Sequence, residues 1–302
     1  MTLLGVVCVR GEVVGDRFKV YEQVTTAGQG ELYSAFEDGT GRKVAVKLQL
    51  PRAFEETSEY GLDARDMKDE AVRGVRLAGP GIPEIYWHGP YDNRYCIVME
   101  YLEGPTLAEA LARRRPVKTP TVAAVVGRLC EILGRVHGEG LVHRDVKPSN
   151  VMLESPRGRV KLLDLGYAER AGRLPYRTAG TVGWMAPEQF DARVVVTPAS
   201  DIFALGCLIL DMTVMTLPYG AGPGRPERSA PVLPADRLAA LPGDLRDLAL
   251  AMVSWAPGDR PGSAKEVLDA LAPVLPTPGS PPPARPLDPD PTTGYRLAGR
   301  SC

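Results

Sequence analysis

The spacing of apolar residues changes once along this chain, and the change divides it in two. Up to about Tyr101 the pattern is mainly the period of two that places successive side chains on opposite faces of a strand. Phe18 to Val24 and Glu31 to Phe36 alternate in this way, Gly39-Thr40-Gly41 signals a turn, and Lys43 to Leu48 completes an antiparallel meander. Pro51 breaks the pattern. Met67, Ala71, Val75 and Ala78 then recur at helical spacing, which predicts a helix over about 63–77 with Glu70 on its surface. Ile82 to Trp87 and Arg94 to Glu100 read as two more strands, joined at Pro90-Tyr91-Asp92-Asn93. After Glu103-Gly104 the period lengthens. Val122, Val125, Val126, Leu129, Leu133 and Val136 share one face of a helix over 121–138. The almost wholly apolar stretch 201–215 predicts a helix buried on all sides, and 245–255 and 263–275 predict two more, with Ser263 and Glu266 as a capping box. Strands gathered before helices predict an α+β chain with a small antiparallel β lobe carrying one main helix (17–101) and a larger, mainly helical lobe (102–275).

Both ends read as appendages. Residues 1–16 form an N-terminal extension whose apolar start, Leu3 to Val9, lacks the basic lead and cleavage site of a signal peptide. The proline-rich stretch 276–302 has too little apolar surface to offset its ordering entropy and is expected to be disordered, with a proline-helix ligand for a partner groove as the sharper alternative. Residues 220–236, rich in Gly and Pro, read as a surface loop. A net charge of −1 gives no field that would draw nucleic acid or an anionic membrane. No apolar run approaches the length of a bilayer span, and a cytoplasmic location is expected. Cys96, Cys130 and Cys207 sit in apolar stretches and read as buried thiols of a reducing compartment. None of the five cysteines has metal-ligand spacing.

Four strings occur in order across this frame: Val44-Ala45-Val46-Lys47, His143-Arg144-Asp145-Val146-Lys147-Pro148-Ser149-Asn150, Asp164-Leu165-Gly166 and Ala186-Pro187-Glu188. Together they supply a cation for phosphates, a carboxylate beside an attacking hydroxyl, and an amide with a second carboxylate for magnesium, the parts that move the terminal phosphoryl group of ATP. With these strings, the span 18–275 resembles the eukaryotic-like (Hanks-type) Ser/Thr protein kinases of bacteria.

The resemblance implies a role for each residue. Lys47 holds the α- and β-phosphates and is fixed by a glutamate on the next helix, Glu70, with Asp69 as the alternative. Asp145 orients or accepts the proton of the substrate hydroxyl, and Lys147 faces the γ-phosphate. Asn150 and Asp164 bind Mg2+ or Mn2+. Val24, Ala45 and Leu153 sandwich adenine, Met99 controls access behind it, and Glu100 and Leu102 pair with its edge. Gly28, Gly30 and Leu32 belong to the loop that covers the phosphates. These residues are expected to converge on one nucleotide cleft between the lobes. Lys147 with Pro148 and Asn150 points to serine and threonine acceptors on protein substrates, with autophosphorylation. Thr178 beside Arg177 is the expected acceptor on the 164–188 segment, bound there by Arg144, while Thr181 bonds Asp145 and Lys147. His143 packs the loop. Glu188 pairs with Arg260, and Asp201 accepts backbone bonds from the loop around Arg144.

One loop departs from the family. The pattern G-x-G-x-x-G-x-V, aligned on Gly30, puts Thr25 and Ala27 where the first two glycines belong, with Gly28 off-pattern. Weaker ATP binding is expected because backbone amides must approach phosphates closely. Two other readings compete: a pseudokinase that binds partners with weak phosphotransfer, and a small-molecule phosphotransferase, which would lack both the Arg-Asp-x-Lys-Pro arrangement and Ala186-Pro187-Glu188.

Overall fold

The computed structural model describes residues 10–27, 30–50, 58–175, 178–220, 222, 226 and 230–298. The chain divides into two compact units between Leu102 and Glu103.

The first unit is a sheet and one long helix. In chain order its elements are β1 (Val13–Val14), β2 (Phe18–Ala27), β3 (Gly30–Glu37), β4 (Lys43–Gln49), α1 (Ser58–Arg76), β5 (Ile85–Tyr91) and β6 (Arg94–Glu100). The strands lie in the spatial order β1-β2-β3-β4-β6-β5, all neighbours antiparallel. Register decides which side chains share a face. Tyr33, Val46 and Val98 stand side by side, and with Val14, Phe18 and Val20 they build a buried apolar cluster. One position along, Leu32, Lys47 and Ile97 line up on the opposite face, where Ile97 packs on Met67 and Ala71 of α1. Strand alternation alone therefore turns Lys47 toward the helix. Gly74 lets α1 close on the sheet, since a Cβ there would lie 2.8 Å from Ile85 Cγ1. The β5–β6 turn places Asp92 and Asn93 at φ 44° and 57°, the two left-handed residues of a tight hairpin turn.

Three expectations for this unit need correction. The sheet has six strands rather than five, because Val13–Val14, read as extension, pairs with β2 and buries Val14. The fifth strand begins at Ile85 rather than Ile82. Glu70 is 7% exposed and not a surface residue, because α1 turns it toward Lys47.

The second unit continues with α2 (Leu107–Arg113), α3 (Thr119–Gly138), β7 (Leu141–Val142), β8 (Val151–Glu154), β9 (Arg159–Leu162), β10 (Glu169–Arg170), α4 (Ala199–Val214), α5 (Ala235–Ala239), α6 (Gly243–Met252), α7 (Ala264–Leu271) and α8 (Thr293–Arg296). Helix α4 is buried on nearly every side, as its composition requires, including Asp201 and Asp211. Ser263 caps α7 by accepting from Glu266 N, but the Glu266 carboxylate reaches Gly262 N at 2.8 Å, so the expected capping box does not close. Cys96, Cys130 and Cys207 are buried thiols, and burial pushes Cys130 up to about 12. Cys8 and Cys302 lie outside the described residues.

The end of the chain departs most from its sequence pattern. Residues 276–298 are ordered against the second unit, with Leu287 3% and Thr292 0% exposed. Proline has little backbone freedom to lose, so a proline-rich segment is cheaper to order than its low apolar content suggests.

Candidate active site

In the first unit, Lys47 Nζ lies 2.8 Å and 2.7 Å from the two carboxylate oxygens of Glu70. Asp69, the alternative partner, faces Arg73 at 3.9 Å instead. Both paired groups are mostly withdrawn from water, 14% and 9% exposed. Desolvation offsets much of the attraction in such a pair, so what it secures is the position of the ammonium. Ala45 sits opposite Met99, and Val44 opposite Glu100, across the β4–β6 pairing. Val24 occupies a bulge where the β2 register slips between Gln23 and Thr25, and Leu32 lies opposite both Thr25 and Lys47. Glu100 N–H donates to Glu84 O at 2.8 Å, which fixes the end of β6. Leu102 ends the unit.

The β2–β3 hairpin is paired to its tip, with Thr25 opposite Leu32 and Ala27 opposite Gly30. Gly28 lies outside the described residues. Gly30 has a packing reason to be glycine, since a Cβ would sit 2.9 Å from the Leu48 carbonyl. Thr25 and Ala27 are extended strand residues, so glycine is not needed there for its torsions. What glycine would change is how closely a phosphate can approach the backbone. Replacing Thr25 and Ala27 together by glycine is expected to lower the KM for ATP on the order of threefold, equivalent to about 0.7 kcal/mol. An ATP titration giving an unchanged or higher KM would count against this assignment of the loop.

In the second unit, three side chains meet Asp145, which lies in the loop after β7 and is 2% exposed. Asp145 Oδ1 accepts from Thr181 Oγ1 at 2.7 Å. Asp145 Oδ2 accepts from Asn150 Nδ2 at 2.9 Å and faces Lys147 Nζ at 2.8 Å. Lys147 also donates to Thr181 Oγ1 at 2.5 Å. Three donors thus meet the buried Asp145 carboxylate and occupy both of its oxygens. Asn150 donates a second time to the Asp145 carbonyl, at 2.8 Å. With its nitrogen committed, its amide oxygen is the atom left for a cation.

Asp164 is held at φ 63°, and its Oδ1 accepts from Gly166 N at 3.1 Å. His143 ties this segment to the loop. Its Nδ1 accepts from Asp145 N at 3.3 Å, so Nε2 carries the proton donated to Leu163 O at 3.1 Å. That is the packing role read from the sequence. Asp164 and Asn150 together offer a carboxylate and an amide oxygen, hard donors that suit Mg2+ when phosphate oxygens complete the shell.

The loop is pinned from behind. Arg144, just before Asp145, has φ 70°, a conformation that costs a non-glycine residue energy and needs support from its surroundings. Its N–H donates to Asp201 Oδ1 at 2.8 Å, and its carbonyl accepts from Gln189 Nε2 at 2.9 Å. Asp201 also accepts from His143 N and meets His137 Nε2, each at 2.8 Å. Burial pushes the Asp201 carboxyl up, but the bonds from His137 and the backbone outweigh it and hold the group below its usual range.

The expected Glu188–Arg260 pair forms and is bidentate, at 2.7 and 2.8 Å. Thr178 is exposed, and its neighbour Arg177 lies outside the described residues. Two supporting residues had no sequence reading. His137 carries no motif of its own. Gln189 follows Ala186-Pro187-Glu188 directly, yet only the fold shows that its buried amide also reaches Ala179 O at 3.2 Å and accepts from Ala186 N at 2.9 Å.

Residues 18–270 match the model of the protein kinase domain family. The chain is 28% identical over 273 residues to a Clostridium acetobutylicum protein named a probable serine/threonine-protein kinase, covering 87% of this chain and 41% of that protein. It is 28% identical over 213 residues to the serine/threonine-protein kinase PrkC of Bacillus subtilis, covering 69% of this chain and 32% of that one. With the serine/threonine-protein kinase PknA of Mycobacterium tuberculosis it shares 29% identity over 300 residues, 91% of this chain and 66% of that one. The chain thus spans from about a third to about two thirds of the length of these relatives.

Proposed function

The chain belongs to the protein kinase domain family, and from that premise we propose that it transfers the γ-phosphoryl group of ATP to serine and threonine hydroxyls of protein substrates. The observation that carries the reading is the Asp145 carboxylate, held by Thr181, Asn150 and Lys147 in a buried loop. Phosphoryl transfer needs little covalent help, so fixed position and fixed charge are what such a loop contributes.

In this reading Asp145 orients the acceptor hydroxyl and takes its proton, and Lys147 faces the charge that develops on the transferred group. Lys47, held by Glu70, grips the α- and β-phosphates. Asn150 and Asp164 hold Mg2+, and Mn2+ would accept the same donors. Bound there, the ion neutralises charge on the phosphate oxygens. Val24, Ala45, Met99 and Leu153 provide apolar surface for adenine, and Glu100 and Leu102 provide backbone groups for its edge. Leu32 and Gly30, with Gly28, belong to the phosphate loop. Thr178 is the proposed site of autophosphorylation, and a cytoplasmic location goes with this activity. Among the described residues no helix is long and apolar enough to cross a membrane.

Thr25 and Ala27 at glycine positions favour a second reading, a pseudokinase with weak transfer. Incubation with labelled ATP and a generic protein acceptor separates the two, with Asp164→Ala as control. Label on protein that disappears in the variant is the expected result. Equal label with both chains, or none with either, would defeat the kinase reading.

A further inference from the structure

The tail crosses the back of the second unit along a defined line. Arg114, at the end of α2, donates from Nη1 to the Pro286 carbonyl at 2.8 Å. Leu287 follows and is buried. At Asp290 the tail backbone rests on Gly158, in the turn between β8 and β9, so closely that a Cβ on Gly158 would collide with the Asp290 carbonyl. Beyond it, Asp290 closes a polar knot with Thr292 and with Arg296, the latter at 3.0 Å. The Tyr295 ring then lies against α3, with the Arg128 guanidinium 4.2 Å from its centre.

The seat is significant for what β8 and β9 carry. Asn150 immediately precedes β8, and Asp164 stands two residues beyond β9. Leu163 N donates to Asn150 O at 2.8 Å, which joins the two ends. A hairpin with four residues per strand has little stability of its own. Its near edge is tied by Leu153 N to Pro105 O and Ser155 N to Glu103 O, at 3.0 and 2.7 Å. Its tip is where the tail sits. Residues 276–283, with Thr119, Pro120 and Arg296, line a recess of about 330 Å³. The contacts that reach α2 and the β8–β9 turn come from residues 286–296.

We propose that residues 286–296 are an intramolecular strap whose docking on the β8–β9 turn sets the positions of Asn150 and Asp164, so that release of the strap weakens Mg·ATP binding. The second half of this statement rests on the kinase reading; the first does not.

The test uses the full chain with Leu287→Asp, which removes the buried anchor, and separately Arg114→Ala, which removes one bond and leaves the core intact. Hydrogen exchange over residues 151–162 is expected to accelerate at least tenfold in the first variant and about threefold in the second. The Kd for Mg·ATP by calorimetry should rise at least fivefold in Leu287→Asp, and a synthetic peptide of residues 284–298 should restore both. Unchanged exchange in both variants overturns the strap. Faster exchange with an unchanged Kd overturns its link to the site. Failure of the unaltered chain to bind Mg·ATP defeats the kinase reading and the second half of the proposal, and exchange still decides the first.

Discussion

Asp145→Asn is expected to lower the rate of phosphotransfer about a thousandfold, within the range ascribed to a positioned proton acceptor. The native carboxylate is an acceptor on both oxygens, toward Thr181 on one side and toward Asn150 and Lys147 on the other. An asparagine can keep its carbonyl oxygen on Asn150 and Lys147 only by turning its NH2 to Thr181, whose hydroxyl must then accept instead of donate. The pocket can rearrange in this way, so the variant should fold. What it cannot recover is the negative charge that takes the substrate proton. Single-turnover rates with labelled ATP, alongside a thermal melt, give the readout. A rate within tenfold of the unaltered chain, with the fold intact, would remove Asp145 from the role assigned to it.

Arg260→Ala is expected to cost the second unit about 3–5 kcal/mol, the usual penalty for removing one partner of a buried ion pair. All five N–H donors of this guanidinium are used: two on the Glu188 carboxylate and one each on the carbonyls of Ser254, Ala199 and Trp255. Its side chain is 0% exposed. Deletion strands Glu188, whose remaining side-chain bond among the described residues is the one from the Ser200 hydroxyl at 3.0 Å, and opens a cavity beside Phe203. Arg260→Lys should recover little, since an ammonium cannot span a carboxylate and three carbonyls. For a unit of this size the loss corresponds to a fall of roughly 10 °C in Tm. A fall of less than about 3 °C by calorimetry would show that the pair is not the tie it resembles.

The parts of this architecture that the chain announced are those where one local rule decides. Period-two alternation marks Lys43 to Leu48 as a strand, within which Val46 and Lys47 must face opposite ways, and the Asp92-Asn93 pair marks a turn. Glu188 and Arg260 could be matched because both lie in motifs with fixed order. Glu70 pairs with Lys47 yet is buried where its spacing suggests a helix surface, because helical spacing shows which residues share a stripe but not how wide the buried stripe is. β1 has no signature in the sequence, because two residues are too few to establish a period. Its pairing depends on Val14 having a sheet face to cover. Gln189 and His137 act through hydrogen bonds to groups 45 and 64 positions away in sequence, a separation that no local pattern encodes. The tail is ordered against its composition for a thermodynamic reason. Composition counts the apolar gain on ordering, but it credits proline with the same entropic penalty as a flexible residue.

The sheet of the first unit has a broader consequence. Its two surfaces answer to different demands, one to the cluster around Phe18 and Tyr33, the other to Lys47 and its partner on α1. Because neighbouring positions along β4 alternate between them, adjacent codons fall under separate selective pressures. Volume-conserving swaps at Val46 or Val98 can therefore drift, or be chosen to harden the molecule against heat, while Ala45 and Lys47 stay unaltered. Directed evolution of a hardier form would do best to begin on that surface.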